Sequence, residues 1–247
     1  MPNFISEDHI EQATISLFVN QLGYRHLNCM DADQTGRDSE SEVVIRPVLS
    51  RQLQQLNPGV PESAINEALA LLCQTRLDMG DMAANKELYG YIRHGVPLMV
   101  TNAQGREEPV TVRVMDFDHP ENNDFLVVSQ LWIQGAYIRR RPDLIVFING
   151  LPILFIELKN SNVGVRNAYE TNLTNYRHDI PLLFHYNAIC MLSNGLETKI
   201  GSYNAGYEHF YNWLRSESEK EVPDRKRIQQ YAVSLDYAVL GICRKEN

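Results

Sequence analysis

The stretch "PDLIVFINGLPILFIELKN", residues 142–160, decides how this chain is read. Two apolar runs, each of strand length, flank Asn149-Gly150, a dipeptide that strongly signals a β-hairpin. Asp143 opens the first run, and Glu157 and Lys159 close the second. Burial penalises charge, so charges bracketing two apolar strands point to placement for chemistry. A membrane segment fits poorly, because Asn-Gly interrupts the stretch and neither half approaches ~20 residues.

Glu157 and Lys159 lie two apart, so on a strand they project from one face. Two carboxylates meeting at one point can hold a divalent cation, and hard oxygen ligands suit Mg²⁺. A neighbouring lysine adds positive charge beside a water or a phosphate. Metal and lysine together lower a water pKa and offset charge developing on phosphorus-bound oxygens, as phosphodiester hydrolysis requires. Register decides whether the carboxylates meet. A strict two-residue turn sets Asp143 opposite Ile156 and sends Glu157 and Lys159 to the other face. The acids share a face only if the connection across Asn149–Pro152 is irregular by one residue, through a three-residue loop with Gly150 left-handed or through a bulge. Pro152 cannot donate to a ladder, which favours irregularity there. The same spacing also suits Asp143 as a strand-start cap, with Glu157 and Lys159 as solvated charges.

Working outward, residues 6–22 read as a helix. Ser6 suits the N-cap, Glu7 and Asp8 suit the positive end of the dipole, and Gly23 suits the stop. Glu11 falls on one stripe with Ile15, Phe18 and Leu22, an odd place for a solvating acid. Residues 31–42, "DADQTGRDSESE", read as a loop with scope for mobility. Helices are expected over 43–56, 61–78 and 84–94, then strands at "VPLMVT" and "PVTVRVMDF" around a polar turn. Further strands are expected at 123–133, 143–148 and 153–158, a helix at about 165–178, and strands near 183–193 and through Ile200. This order is a mixed α/β sheet. Residues 205–247 read as largely helical, and the absence of a Gly-, Ser- or Pro-rich linker favours one domain with a helical insertion.

A net charge of −8 argues against an indiscriminately DNA-gripping surface, since phosphate neutralisation needs clustered Lys and Arg. Residues 135–178 reverse that sign, with six basic and three acidic residues, net +3. Arg139, Arg140 and Arg141 lead this segment into Asp143, as a phosphate-facing surface or as a solvated loop. Four scattered cysteines make neither a zinc site nor a disulfide framework, and no signal-peptide pattern opens the chain, so a cytoplasmic setting is expected. No G-x-x-x-x-G-K-[ST], HExxH, G-x-S-x-G or G-x-G-x-x-G motif occurs.

Several blocks in order, "ENNDFLVVSQ", "RRRPDLIVFINGLPILFIELKN" and "IPLLFHYNAICMLSNGLETKIGS", resemble the N-terminal nuclease region of the R (restriction, motor) subunit of type I restriction-modification enzymes. "LNPGVP", "YGYIRHGVPL" and the Gly-Tyr after the first helix are similar to the same family, and the likeness runs from about residue 6 to about 205. It implies an α/β fold of the PD-(D/E)xK restriction-endonuclease-like type, a mixed sheet flanked by helices. The core would be about 6–27 and 120–205, with a helical and β-hairpin insertion at about 40–118. A helical extension at about 205–247 would lead toward an ATPase motor absent from these residues. Asp143, Glu157 and Lys159 match the family's catalytic positions, and the carbonyl of Leu158 would assist the two acids at the metal. The first helix often adds an acid, for which Glu11 is the candidate and Glu7 the weaker one, unless both are ordinary helix-face acids. The family's Gln-x-x-x-Tyr motif corresponds to "NLTNY", Asn172 and Tyr176, with Asn a departure that shortens the amide by one methylene. Tyr176 is equally suited to core packing.

The implied function is Mg²⁺-dependent cleavage of double-stranded DNA within a complex of methyltransferase and specificity subunits. ATP would be needed by the full-length subunit and not bound by this chain, which is expected to be a fragment or a truncated relative. One alternative is a catalytically vestigial module docking the motor to the methyltransferase core. Another is a stand-alone nuclease.

Overall fold

The computed structural model describes residues 5–76, 78–101, 104–213, 215, 220–222 and 234–246. A six-stranded mixed sheet forms the centre, in the order β1 (Arg25–Asn28), β4 (Phe125–Ser129), β7 (Leu144–Ile148), β8 (Leu151–Leu158), β9 (Ile189–Ser193), β10 (Thr198–Gly201). The β1/β4 and β8/β9 pairs are parallel and the others antiparallel.

Helices cover both faces of this sheet, which is why β7, and β8 as far as Ile156, are apolar throughout rather than alternating. Leu144, Val146, Leu154, Ile156 and Leu158 pack with α1 (Glu7–Asn20) and the C-terminal helix Ser234–Ile242. Ile145, Phe147 and Phe155 pack on the other side. Here lie α2 (Arg46–Leu56), α3 (Glu62–Cys73) and α4 (Asp81–His94), with the small hairpin of β2 (Val96–Thr101) and β3 (Glu107–Val112). Each large apolar side chain so buried contributes about 1.5–3 kcal/mol.

The central hairpin is irregular by one residue, and the irregularity is a bulge rather than a longer turn. Ile148 pairs with Leu151 across a two-residue turn, with Asn149 and Gly150 at φ 52° and 83°. These angles are those of a type I′ turn. Phe147 then pairs with Pro152 but Val146 with Leu154, so Ile153 is the extra residue. Pro152 has no N–H to lose, which makes this the least costly place for a break. The turn itself is buried. Gly150 accepts a bond from Ile45 N (2.9 Å), and a Cβ on Gly150 would stand 2.6 Å from Ile45 O.

Several elements differ from the sequence reading. The strand expected over 123–133 stops at Ser129, because Gln130 turns into the left-handed region (φ 57°). The chain then makes a separate ribbon, β5 (Ile133–Gln134) paired with β6 (Arg139–Arg140). Residues 183–193 give only β9 as strand, since Pro181–His185 forms a 3-10 turn. The edge strand β1 was not anticipated. Loop 31–42 is held by Arg37, whose buried guanidinium bonds Asp33 (2.6 Å), the Glu42 carbonyl and the Trp132 carbonyl (2.9 Å). Residues 205–213 are not a helix beyond the 3-10 turn Tyr207–His209, because Tyr211 bridges Ile200 instead. Of the rest of the expected helical extension, 214, 216–219, 223–233 and 247 lie outside the described residues.

Candidate active site

The bulge sets the geometry of the open end of the hairpin. With Leu144 opposite Ile156, continuing the register puts Asp143 across from Glu157 instead of Ile156. By alternation both acids project on the side of Ile145 and Phe155, and Lys159 follows two residues on. Leu158 N donates to Asp143 Oδ2 (2.7 Å), which locks the first carboxylate to the second strand. Lys159 Nζ donates to Glu157 Oε1 (3.0 Å) and to the Leu158 carbonyl (2.7 Å). The lysine backbone is fixed by its own bond to Ser193 O (2.8 Å) on β9.

The first helix supplies both of its acids. Glu11 is buried, as its stripe implied, and accepts a short hydrogen bond from Gln130 Nε2. The same Nε2 lies 3.5 Å from Asp143 Oδ1, while Gln130 N donates to Asp143 O (2.9 Å). Glu7 reaches toward Lys159, 3.9 Å from Nζ, and its backbone N donates to Asn160 Oδ1 (2.9 Å). Gln130 is the residue that sequence reasoning missed. It read as an interior residue of a longer strand, and only its place at the end of "ENNDFLVVSQ" hinted otherwise.

Burial governs the electrostatics. It pushes the Glu11 carboxyl up to about 7, against the bond from Gln130. Asp143 rises to about 6, again through burial and despite the Leu158 N–H. Glu157 rises well above the usual carboxylate range through burial, reinforced by the charge of Asp143. For Lys159, burial opposes the ammonium, but Glu157 outweighs it and the pKa rises. Three buried acids thus resist ionisation even with the Lys159 ammonium beside two of them.

The remaining candidates divide. Val165–Asn167 (α5) continues through a π-helical segment, Ala168–Leu173, into α6 (Thr174–Asp179). This run carries Asn172 and Tyr176 on one face, and burial pushes the Tyr176 hydroxyl pKa up, with the Asn172 amide opposing the rise. Tyr176 packs edge-on to Phe155 (5.7 Å) and donates to the Arg141 carbonyl (3.3 Å), so it is both a core residue and a neighbour of the acids. Arg140 pairs with Asp179 (2.5 Å), while Arg139 and Arg141 lie against the Trp132 ring at 4.1 and 5.0 Å.

A cation fits this chemistry on one specific observation. Glu157 Oε2 is buried and has no hydrogen-bond partner, a costly state for an anionic oxygen unless a cation attends it. Among the described residues no group of three His, Cys, Asp or Glu side chains forms a metal cage. The candidate ligand set is therefore two carboxylates and the Leu158 carbonyl, two of which now share the Lys159 ammonium.

A mixed six-stranded sheet flanked by helices, with acids and a lysine at the open end of its central hairpin, is compatible with an α/β nuclease-like fold. The chain belongs to the family described as the type I restriction enzyme R protein N terminus, whose model matches residues 4–209. It is 33% identical over 221 residues to the type I restriction enzyme HindI endonuclease subunit of Haemophilus influenzae, covering 85% of this chain and 20% of that one. It is 29% identical over 263 residues to the putative type I restriction enzyme MjaIXP endonuclease subunit of Methanocaldococcus jannaschii, covering 98% of this chain and 25% of that one. The chain thus spans a quarter or less of the length of these relatives. No helix among the described residues is long and apolar enough to cross a membrane.

Proposed function

We propose that this chain is a Mg²⁺-dependent endonuclease module of the PD-(D/E)xK type, hydrolysing phosphodiester bonds of double-stranded DNA. The observation that carries the reading is the bulged hairpin, which sets Asp143 across from Glu157 with Lys159 beside them and leaves Glu157 Oε2 buried and unpartnered. Asp143, Glu157 and the Leu158 carbonyl would hold the ion, which supplies a lowered water pKa and offsets charge on the phosphate. Lys159 keeps its proton at Nζ and presents positive charge to the attacking water or to a phosphate oxygen. Gln130 holds Glu11 and Asp143 in position. Arg139 and Arg141 offer guanidinium groups to the DNA backbone, Tyr176 stands beside the acids, and Asn172 fills the family's Gln position one methylene short.

The core comprises about 6–27 and 120–205, with 40–118 as an insertion, all within one domain. Sequence recognition belongs to methyltransferase and specificity subunits, and ATP-driven translocation to a motor outside these residues, in the cytoplasm. The shortened amide of Asn172 favours a second reading, a docking module with vestigial cleavage. Reconstitution of a full-length subunit carrying this region with its methyltransferase partners separates the two. Asp143→Ala and Lys159→Ala should abolish DNA cleavage while ATP hydrolysis persists. Cleavage by both variants at the wild-type rate would overturn the catalytic assignment.

A further inference from the structure

Gln130 to Asp143 forms a closed arm. Gln130 N bonded to Asp143 O shuts its base (2.9 Å), and β5 and β6 make its two strands. Its underside is fastened. Arg140 pairs with Asp179, Gln134 N donates to Glu40 O (2.9 Å), and a Cβ on Gly135 would fall 1.7 Å from Asp179 O, so the loop lies directly on the end of α6. The opposite side is open among the described residues. Tyr137 at the tip is 96% exposed, and no large apolar side chain among the described residues is more so. Ile138 beside it is 47% exposed. Residues 130–142 contain three arginines and no acid. Arg139 has Glu40 at 3.6 Å, and Arg141 forms no ion pair among the described residues. An aromatic and an aliphatic side chain at a fixed, basic ribbon tip, rooted on a candidate catalytic aspartate, match the charge and the surface of a nucleic-acid groove.

We propose that this arm is a DNA-positioning element, in which the 133–140 ribbon enters a groove of the duplex, with Tyr137 and Ile138 against sugars and bases and Arg139 and Arg141 on the flanking phosphates. A major groove admits a two-stranded ribbon, and packing of Tyr137 and Ile138 against sugars and base edges adds contact without the paired hydrogen bonds that read sequence, as suits a module that leaves recognition to other subunits. Phosphate contacts fix orientation without reading sequence. Because the arm is continuous with Asp143, the groove contact sets which phosphate reaches the acids. This inference rests on the proposal that the substrate is duplex DNA.

Equilibrium anisotropy with a fluorescent blunt duplex, without divalent ions so that nothing is cut, tests it across a salt series. Tyr137→Ala should weaken binding about tenfold, for the loss of one buried aromatic contact, with the salt slope unchanged, and Tyr137→Phe should retain wild-type affinity. Arg139→Ala should lower the slope by about 0.9, the value of one phosphate contact. The tyrosine is exposed, so Tm should not change in either Tyr137 variant. Wild-type affinity in Tyr137→Ala, no duplex binding by the wild type, or equal competition by a single strand would each overturn the arm. A Tyr137→Ala defect confined to association with methyltransferase subunits, with DNA affinity intact, would also overturn it in favour of a protein contact. The catalytic reading fails separately. Cleavage retained by Asp143→Ala sinks the site and leaves the arm standing, whereas intact DNA affinity in Tyr137→Ala sinks the arm and leaves the site.

Discussion

The two ends of the β7–β8 hairpin bury polar groups in opposite ways. At the turn, Asn149 is fully buried and satisfied. Its Oδ1 accepts from Asp124 N (2.8 Å), its Nδ2 donates to Val114 O (2.9 Å) and Asn123 Oδ1 (2.8 Å), and its N donates to Asp124 O (2.9 Å). At the open end, Glu157 is equally buried, yet one of its oxygens has no partner. Its neighbours Asp143 and Glu11 hold pKa values near 6 and 7 through burial. A satisfied buried amide builds a fold, because removing it strands its partners. An unsatisfied buried acid weakens a fold and is tolerated where it binds something.

The largest expected effect tests the open end. Asp143→Ala or Lys159→Ala should lower DNA cleavage by on the order of 10³-fold or more, read as single-turnover rate, since each removes charge aimed at the reacting phosphate. A loss of tenfold or less would make this end as structural as the turn. The turn should show the converse. Asn149→Ala should cost about 2–4 kcal/mol in urea unfolding, from stranded partners and a left-handed backbone position now held by alanine. In the folded protein Mg²⁺ should bind as before.

Deleting Ile153 probes the link between the two ends, because it removes the bulge yet leaves the register that sets Asp143 across from Glu157. Mg²⁺ at ten times its Kd should stabilise the wild type by about 1.4 kcal/mol, and the deletion should keep that gain. Loss of the gain in the deletion would show that the acids depend on the bulge itself and not on the register alone.

The smallest effect is a pH dependence. The Glu11 carboxyl sits near 7 in the folded protein against an ordinary 4.5, so the folded state binds the extra proton. Its stabilising contribution is full below about 4.5 and is lost as pH rises through about 7. Glu11→Gln has nothing to ionise. Its stability relative to wild type in metal-free buffer should therefore climb between pH 4.5 and 7, reaching roughly 1 kcal/mol at pH 8 after allowance for solvent screening. A gain of the same size at pH 4 would show that packing, not charge, is responsible.

Much of this arrangement was legible because its signals are local. Ser6 caps α1 by accepting from His9 N, Glu11 lies on the buried stripe, and Asn149-Gly150 turns the hairpin in two residues. The need for a one-residue irregularity also followed from side-chain alternation alone, although its place at Ile153 did not. Gln130 was hidden because its left-handed backbone and its bonds to Glu11 and Asp143 depend on residues 119 and 13 positions away. The 3-10 turn at Pro181–His185 was hidden too, since an apolar run reads alike as strand or as core-facing turn.

The sequence by itself determined which residues are apolar, which are charged, and that one hairpin must bring Asp143, Glu157 and Lys159 to the same end. Only the tertiary structure decided that α1 delivers Glu7 and Glu11 there, that Gln130 ties two acids together, and that Arg140 is spent on Asp179 while Tyr137 stays bare. The reason is physical. Alternation and turn preference act over a few residues, whereas burial, which raises the pKa values of Glu11, Asp143 and Glu157, exists only once distant elements close over it.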